Sequence, residues 1–333
     1  MMKAFVVDRY GSSDNVRAGE MPEPEVRETD VLVQVQAAGV NLLDSRIRDG
    51  AFKLILPYRL PVILGNDVAG VVVGVGSRVR RFKPGDEVYA RPDKDRIGAF
   101  AEFISIKEGD LASKPKHLTM EEAASVPLVG LTAWQALIEK ANVKKGQKVL
   151  IQAGSGGVGT FAIQLAKHVG ATVATTTSAA NIDLVKRLGA DVVIDYRKED
   201  FETILHDYDV VLNSRDETLK KSLRVLRPGG KLISISGPPD PDFAKEIRSS
   251  WILSPVTRVL SYRIRRAAKR HHVSYSFLFV RASGDQLREI SSLIDAGIIQ
   301  PVMDRVFPFE STKEAMAYVE KGRAKGKVVV KVR

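Results

Sequence analysis

The sequence predicts an α/β chain: a doubly wound parallel sheet, preceded in the chain by a small β-barrel-like domain. Three observations carry this. A glycine-rich turn, Gly154-Ser155-Gly156-Gly157-Val158-Gly159, joins an apolar run at 149–153 to a stretch with helical apolar spacing. Strands and helices then alternate as far as Ser236. The first hundred residues are instead rich in short alternating runs broken by glycine and by Lys83-Pro84-Gly85-Asp86. Alternating βα units build parallel sheets, whereas short strands with frequent turns build barrels.

In the first part, residues 31–35 and 68–75 alternate in the manner of half-buried strands, and Gly65, Gly70, Gly74 and Gly76 punctuate them. Residues 99–104 form a further candidate strand. Thr119-Met120-Glu121-Glu122 has the form of a capping box, and residues 128–140 read as a helix. From Val149 the rhythm is β-α-β, with strands expected at 171–176, 192–194, 209–212 and 231–236. Helices are expected at 181–188, stopped by Gly189, and at 218–226, ended by Arg227-Pro228-Gly229-Gly230. Residues 275–280, a helix from Asp285 and a last strand at 327–330 read as a return to the first domain. The expected division is therefore 1–122, 123–272 and 273–333.

Strand, glycine turn and helix together are the setting in which G-x-G-x-x-G signals dinucleotide binding. Gly154 permits the tight turn, Gly156 lets the backbone approach a pyrophosphate, and Gly159 lets helix and strand pack closely. The phosphates then meet unpaired N–H groups at the positive end of a helix. An NAD-binding chain usually carries an acid at the end of the second strand to hold the ribose 2′-hydroxyl. Here that place reads Thr175-Thr176-Thr177-Ser178-Ala179-Ala180-Asn181, with hydroxyls and an amide but no carboxylate to repel a 2′-phosphate. NADPH is the expected cofactor. Ser178 to Asn181 also suit the cap of the next helix.

The chain has no cysteine, which removes a disulfide framework and any thiolate zinc site. Its five histidines, at 117, 168, 206, 271 and 272, have no metal-ligand spacing with another ligand, so no metal is expected. No run reaches the roughly eighteen apolar residues of a membrane span, and the first ten residues read as a strand and turn rather than a signal peptide. A cytoplasmic protein is expected. With 51 Lys and Arg against 40 Asp and Glu, the formal charge is +11. Part of the excess is local: Arg258, Arg263, Arg265, Arg266, Lys269 and Arg270 have no acid among them, and Val256, Val259, Leu260 and Ile264 are interleaved. This stretch, 249–272, suits contact with anionic lipid or nucleic acid, giving a membrane-associated protein, or, as its plainer reading, a solvated helix over the active-site cleft or at a subunit contact.

The motifs in order resemble one family. They include Val40-Asn41-Leu42-Leu43-Asp44, Gly65-Asn66-Asp67-Val68-Ala69-Gly70, Lys83-Pro84-Gly85-Asp86-Glu87-Val88, Gly98-Ala99-Phe100-Ala101-Glu102, Ala123-Ala124-Ser125-Val126-Pro127, Thr132-Ala133-Trp134, Gly156-Gly157-Val158-Gly159 and Gly326-Lys327-Val328-Val329. Nearly end to end, the chain resembles the zinc-independent quinone oxidoreductases of the medium-chain dehydrogenase/reductase superfamily. Zinc-dependent relatives place a cysteine in the first motif and G-H-E in the second; here Asn41 and Asp44 stand in the first and Gly65-Asn66-Asp67 in the second. The resemblance implies a GroES-like barrel with a Rossmann domain, a homodimer, and hydride transfer from NADPH to a quinone or an α,β-unsaturated carbonyl without zinc.

The resemblance also implies roles for particular residues. Thr132 contacts the cofactor near its nicotinamide end, Ser236 and Gly237 approach the nicotinamide ribose, Phe279 and Val280 offer backbone groups, and Lys327 reaches in from the last strand. Thr177 or Ser178, Asn181 and Tyr196 occupy the positions for the 2′-phosphate, with Arg197 adding charge; many relatives have lysine where Asn181 stands. Asn41 is placed to hydrogen-bond the acceptor oxygen, and Asp44 to hold that loop. Enoyl-thioester reductases of the superfamily carry G-x-Y where this chain has Gly50-Ala51-Phe52, and Phe52 donates no proton. Tyr58 is the nearby candidate donor, with packing as its plainer role. A second reading is an NADPH-binding redox sensor that uses the basic 249–272 stretch.

Overall fold

The computed structural model describes residues 1–53, 57–246 and 250–333, with backbone only at 245, 246 and 250–254. Ser249, the first residue of the basic stretch, lies outside the described residues. The chain divides into two compact units, residues 1–131 with 281–333, and residues 132–280.

The first unit opens with β1 (Met2–Val7), β2 (Val16–Met21), β3 (Asp30–Val40), α1 (Leu42–Arg48), β4 (Val62–Ile63) and β5 (Asp67–Val75). It continues through β6 (Glu87–Ala90), β7 (Phe103–Lys107), β8 (Leu111–Ser113), α2 (Met120–Ala124) and α3 (Pro127–Trp134). Alternation sets β3: Val31, Val33 and Val35 are fully buried, while Leu32, Gln34 and Gln36 are half-buried. The strand expected at 99–104 begins later, at Phe103, where its pairing with β3 starts (Gln34 opposite Phe103). Ala101 makes only an isolated bridge to Ala4. The capping box forms as expected: Glu122 N–H donates to Thr119 Oγ1 (3.2 Å), and Thr119 N–H donates to Glu122 Oε2 (2.9 Å).

The second unit carries β9 (Lys148–Ile151), α4 (Gly157–His168), β10 (Thr172–Thr177), α5 (Ile182–Arg187), β11 (Val192–Asp195), α6 (Phe201–Ile204) and β12 (Tyr208–Asn213). After these come α7 (Leu219–Arg224), β13 (Leu226–Ser234), α8 (Pro241–Glu246), α9 (Ser250–Leu260), α10 (Tyr262–Arg270) and β14 (Ser274–Phe277). Its sheet runs β11-β10-β9-β12-β13-β14, parallel throughout. The strand order reverses between β9 and β12, and ligands bind at such a switch point in open α/β sheets. The central strand is apolar and buried on both faces, with Val149, Leu150 and Ile151 inaccessible to solvent.

One expectation is corrected here. Residues 275–280 do not return to the barrel. Ser274–Phe277 becomes the sixth parallel strand, with Lys231 opposite Ser274 and Ser234 opposite Phe277. Asp240 pins the end of this strand by accepting from Phe277 N–H at 3.0 Å. Four residues of mixed polarity do not reveal which sheet they join; the open edge of β13 decides it.

The return to the first unit comes with α11 (Gly284–Asp295), β15 (Met303–Pro308), α12 (Thr312–Glu320) and β16 (Lys327–Lys331). There β16 pairs antiparallel with β3, and the sheet reads β15-β16-β3-β5-β6-β8, with β7 also on β3. Its core is built from Val31, Val33, Val68, Val88, Phe100, Ile106 and Val328, among others.

Candidate functional site

In the second unit the glycine turn takes the form its spacing demands. Gly156 is the N-cap of α4, and a Cβ built on it would meet only Ala153 O, at 3.4 Å. That leaves a cradle open above the helix N-terminus, where a pyrophosphate fits. Gly154 and Gly159 serve packing: a Cβ would lie 2.1 Å from Thr175 Oγ1 at the first and 2.3 Å from Ala153 O at the second. Gly154 N–H donates to Thr176 O (2.9 Å), and Ala153 takes φ +51° to make the turn. Gly157 and Val158 begin the helix.

Beside this turn lie the residues expected around a 2′-phosphate. Thr177 ends β10, and its hydroxyl donates to Ser155 Oγ at 3.0 Å. Asn181 Nδ2 donates to the same oxygen at 3.1 Å and reaches Ser178 Oγ at 3.4 Å. Tyr196 follows β11, its N–H bonded to Thr177 O (3.1 Å) and its ring half exposed. Arg197 and Arg215 each place Cζ 5.9 Å from that ring's centroid. Arg215 lay outside the sequence reading; it sits two residues past β12, in no recognisable motif.

Further along the same strand ends, Gly237 N–H donates to Ser234 Oγ (2.9 Å), Ser236 N–H reaches the same atom at 3.3 Å, and Ser234 donates to Asn213 Oδ1 (2.8 Å). Asn213 Nδ2 and Thr218 Oγ1 both donate to Gln152 Oε1 at 2.8 Å. This buried polar ladder under β9, β12 and β13 fixes the loops above it. Phe279 stacks edge-on against Phe243 with centroids 5.7 Å apart, and Val280 and Thr132 are buried.

The first unit holds a second, wholly buried polar cluster. Asn41 is the N-cap of α1 and Asp44 its N3 residue, so Asn41 N–H donates to Asp44 Oδ2 (2.8 Å). Asn66 Nδ2 donates to Asp44 Oδ1 (2.7 Å). Burial pushes the Asp44 carboxyl up to about 6, against the lowering effect of these two donors. Asn41 Nδ2 donates to Asp67 Oδ2 (2.8 Å) and Gly39 O (3.3 Å). Lys327 Nζ donates to Asn41 Oδ1 (2.5 Å), Asp67 Oδ2 (3.0 Å) and Val40 O (3.2 Å). Structure thus joins Asn41, Asp44 and Lys327 with Asn66 and Asp67, two residues whose motif helped carry the family resemblance but to which the sequence assigned no role. Both hydrogens of the Asn41 amide have acceptors inside the protein, in Asp67 and Gly39.

Tyr58 does not join this cluster through its hydroxyl, which donates to Lys94 O at 2.7 Å. Burial raises its pKa. Arg91 was missed by sequence reading altogether. It is fully buried, its Nε has no partner, and burial lowers its pKa. A cation in such a place is costly unless something answers it.

Comparison with known proteins bears on these two sites. Residues 27–116 match the family described as alcohol dehydrogenase GroES-like domain, and residues 188–330 match the family described as zinc-binding dehydrogenase. The chain is 36% identical to the 2-methylene-furan-3-one reductase of Solanum lycopersicum, over 99% of its own length and 79% of that protein. It is also 36% identical, with the same coverage, to the chloroplastic NADPH-dependent alkenal/one oxidoreductase of Arabidopsis thaliana. Among solved structures, the quinone oxidoreductase from Coxiella burnetii superposes with a TM-score of 0.87 at 31% identity, covering 100% and 99% of the two chains. The chain belongs to the medium-chain dehydrogenase/reductase superfamily. As a member of this superfamily it is an oxidoreductase, with a GroES-like barrel in the first unit and a Rossmann sheet in the second.

Zinc is implied by one of the matched descriptions, so the donor set can be tested against it. A catalytic zinc takes thiolate, imidazole or carboxylate ligands in a tetrahedron. At the corresponding motifs this member of the superfamily offers the amides of Asn41 and Asn66; the Asp44 carboxylate already accepts from Asn41 N–H and Asn66 Nδ2, and the Asp67 carboxylate is paired with the Lys327 ammonium at 3.0 Å. Among the described residues no group of three His, Cys, Asp or Glu side chains converges. These residues do not suit zinc, whereas the glycine turn does suit a dinucleotide pyrophosphate.

Proposed function

We propose that this oxidoreductase passes hydride from NADPH to a quinone or to the β-carbon of an α,β-unsaturated carbonyl, without zinc. The observation that carries this reading is the open cradle at Gly156 beside a rim of Ser155, Thr177, Ser178 and Asn181 that contains no carboxylate. A carboxylate there would repel a 2′-phosphate, whereas hydroxyls and an amide donate to it. The reductases of tomato and Arabidopsis named above act, by their names, on a methylene-furanone and on alkenals or enones, and the Coxiella protein is a quinone oxidoreductase. When bound, NADPH supplies the hydride.

The protein's own residues position and polarise. Thr132, Ser236, Gly237, Phe279 and Val280 hold the nicotinamide end. Asn41, Asp44 and Lys327 are positioning residues that keep the acceptor loop rigid. Tyr58, committed to Lys94 O, holds its loop, and the product takes its proton from solvent. A homodimer completes the proposal. The test is NADPH and NADH consumption over a panel of quinones, alkenals and enones, with light scattering for the dimer. Turnover with NADPH at tenfold preference over NADH supports the reading. No turnover with any acceptor, or turnover that stops when zinc is chelated, overturns it.

A second reading rests on the basic helices. Val256, Val259, Leu260 and Tyr262 are exposed, and Arg258, Arg263, Arg265, Arg266, Lys269 and Arg270 stand among them. Ile264 and Ala268 fasten α10 to the body of the unit. A surface of this composition attracts an anionic membrane. Co-sedimentation with vesicles containing phosphatidylserine, lost on Val259→Asp with Leu260→Asp, supports it; equal recovery with neutral vesicles, or binding only to RNA, counts against it.

A further inference from the structure

The 2′-phosphate carries close to two negative charges at neutral pH. Yet Ser155, Thr177, Ser178 and Asn181 are all neutral. Two cations stand nearby. Thr177 and Asp195 are register partners on adjacent strands, so Tyr196 and Arg197 leave β11 directly beside the Thr177–Ser178 corner. Arg215 comes from elsewhere. It follows β12, and β12 is separated from β11 by both β9 and β10. At about 4.8 Å per strand, the two strand ends are roughly 14 Å apart. The Arg215 guanidinium nevertheless lies 5.9 Å from the Tyr196 ring. Between them, the two side chains reach over the ends of β9 and β10, where the glycine turn and the Ser155–Thr177–Asn181 rim sit.

Two guanidiniums on one ring repel each other unless an anion answers them. Arg215 is partly answered: its Nε and Nη2 both lie 2.7 Å from Glu217 Oε1. Arg197 has no carboxylate partner within ion-pair distance among the described residues. Both arginines are exposed, so their convergence buries no core surface.

We propose that Arg215 and Arg197, bracketing Tyr196, form a clamp that selects the 2′-phosphate, and that Glu217 holds Arg215 back until the phosphate arrives. This rests on the NADPH reading above. The clamp makes Arg215 a specificity-determining residue on a strand end remote in sequence from the rest of the rim, and Glu217 a competitor for its guanidinium.

The test is calorimetric binding of 2′,5′-ADP and of 5′-AMP to the full chain, with Arg215→Ala, Arg197→Ala and Glu217→Gln variants. Wild type binds 2′,5′-ADP at least about tenfold more tightly than 5′-AMP, since charge-assisted bonds to phosphate are among the stronger kind. Arg215→Ala weakens 2′,5′-ADP by about tenfold and leaves 5′-AMP within about twofold; Arg197→Ala does the same to a similar or smaller degree. Glu217→Gln tightens 2′,5′-ADP and not 5′-AMP. If Arg215→Ala leaves 2′,5′-ADP unchanged, or weakens both ligands equally, the clamp is wrong while the NADPH reading stands. If Glu217→Gln weakens 2′,5′-ADP, the competitor role is wrong. If wild type shows no preference between the two ligands, the NADPH reading itself fails.

Discussion

Lys327 and Asp67, 260 residues apart, form a buried ion pair with Nζ 3.0 Å from Oδ2. Sheet register brings them together: Val328 lies opposite Val40 and Gly39 opposite Asp67, so β16, β3 and β5 bring both residues to one end of the barrel. Gly39 leaves the room, since a Cβ there would lie 2.9 Å from Asp67 Oδ2. The other Asp67 oxygen accepts from Leu128 N–H at 2.6 Å. Every hydrogen of the ammonium has an acceptor, in Asp67, Asn41 and Val40. A buried pair of this kind is held by its completeness rather than by raw attraction.

Removing one partner should therefore be expensive. Lys327→Met leaves Asp67 and the Asn41 amide without their cation, and is expected to destabilise the protein by about 3–5 kcal/mol. Urea denaturation measures it. A loss below about 1 kcal/mol would show that the pair is solvated rather than sealed.

Asp44 gives a pH signature. Its folded pKa is about 6, raised chiefly by burial, against an unfolded value of about 3.9. Between those values the folded state binds more protons than the unfolded state, so this group's contribution to stability falls as pH rises from about 4 to 6 and is flat above. Asp44→Asn removes that fall and costs about 1–3 kcal/mol, because the Asn amide cannot accept from both Asn41 N–H and Asn66 Nδ2. The check is the wild-type minus variant stability measured across pH 4–8: the difference should shrink as pH rises from 4 to 6. A difference independent of pH counts against this role for Asp44.

The two glycines of the turn should separate binding from folding. Gly156→Ala meets only one atom, at 3.4 Å, so its melting temperature should stay close to wild type while nucleotide affinity drops at least about tenfold as the methyl fills the cradle. Gly159→Ala forces a methyl to within 2.3 Å of Ala153 O and is expected to cost about 1–3 kcal/mol or more. Thermal melts paired with cofactor titrations tell them apart, and identical behaviour of the two variants would contradict the division of roles.

Tyr58→Phe removes the bond to Lys94 O. It should lower stability by about 1 kcal/mol and leave kcat within about threefold. A general acid contributes about 10²–10⁴ in rate, so a loss of that size would restore Tyr58 as proton donor.

Arg91 is expected to behave in the opposite sense. Its Nε has no partner among the described residues, and burial outweighs the attraction of Asp93, Asp67 and Asp110; replacing buried charges with well-packed apolar chains is often neutral or stabilising by about 1–4 kcal/mol. Arg91→Met should gain stability in denaturant titration. If instead it loses several kcal/mol, the guanidinium is answered within the folded protein.

Much of the fold was legible because it is written locally. The glycine turn, the capping box at Thr119 and the alternation of β3 are each encoded within about ten residues, where backbone geometry and the two side-chain periods dictate the outcome. So is the absence of a carboxylate after Thr177, on which the proposed choice of NADPH rests. Tertiary structure alone decided the rest. Ser274–Phe277 joined the Rossmann sheet because β13 offered it an edge, and Arg215 met Tyr196 because two intervening strands set the distance their side chains had to span. Lys327 found Asp67, and the Asn41 amide was consumed between them, through the register of three strands. Register is carried by backbone hydrogen bonds between segments far apart in the chain, and no local pattern of side chains records which segment will supply the partner.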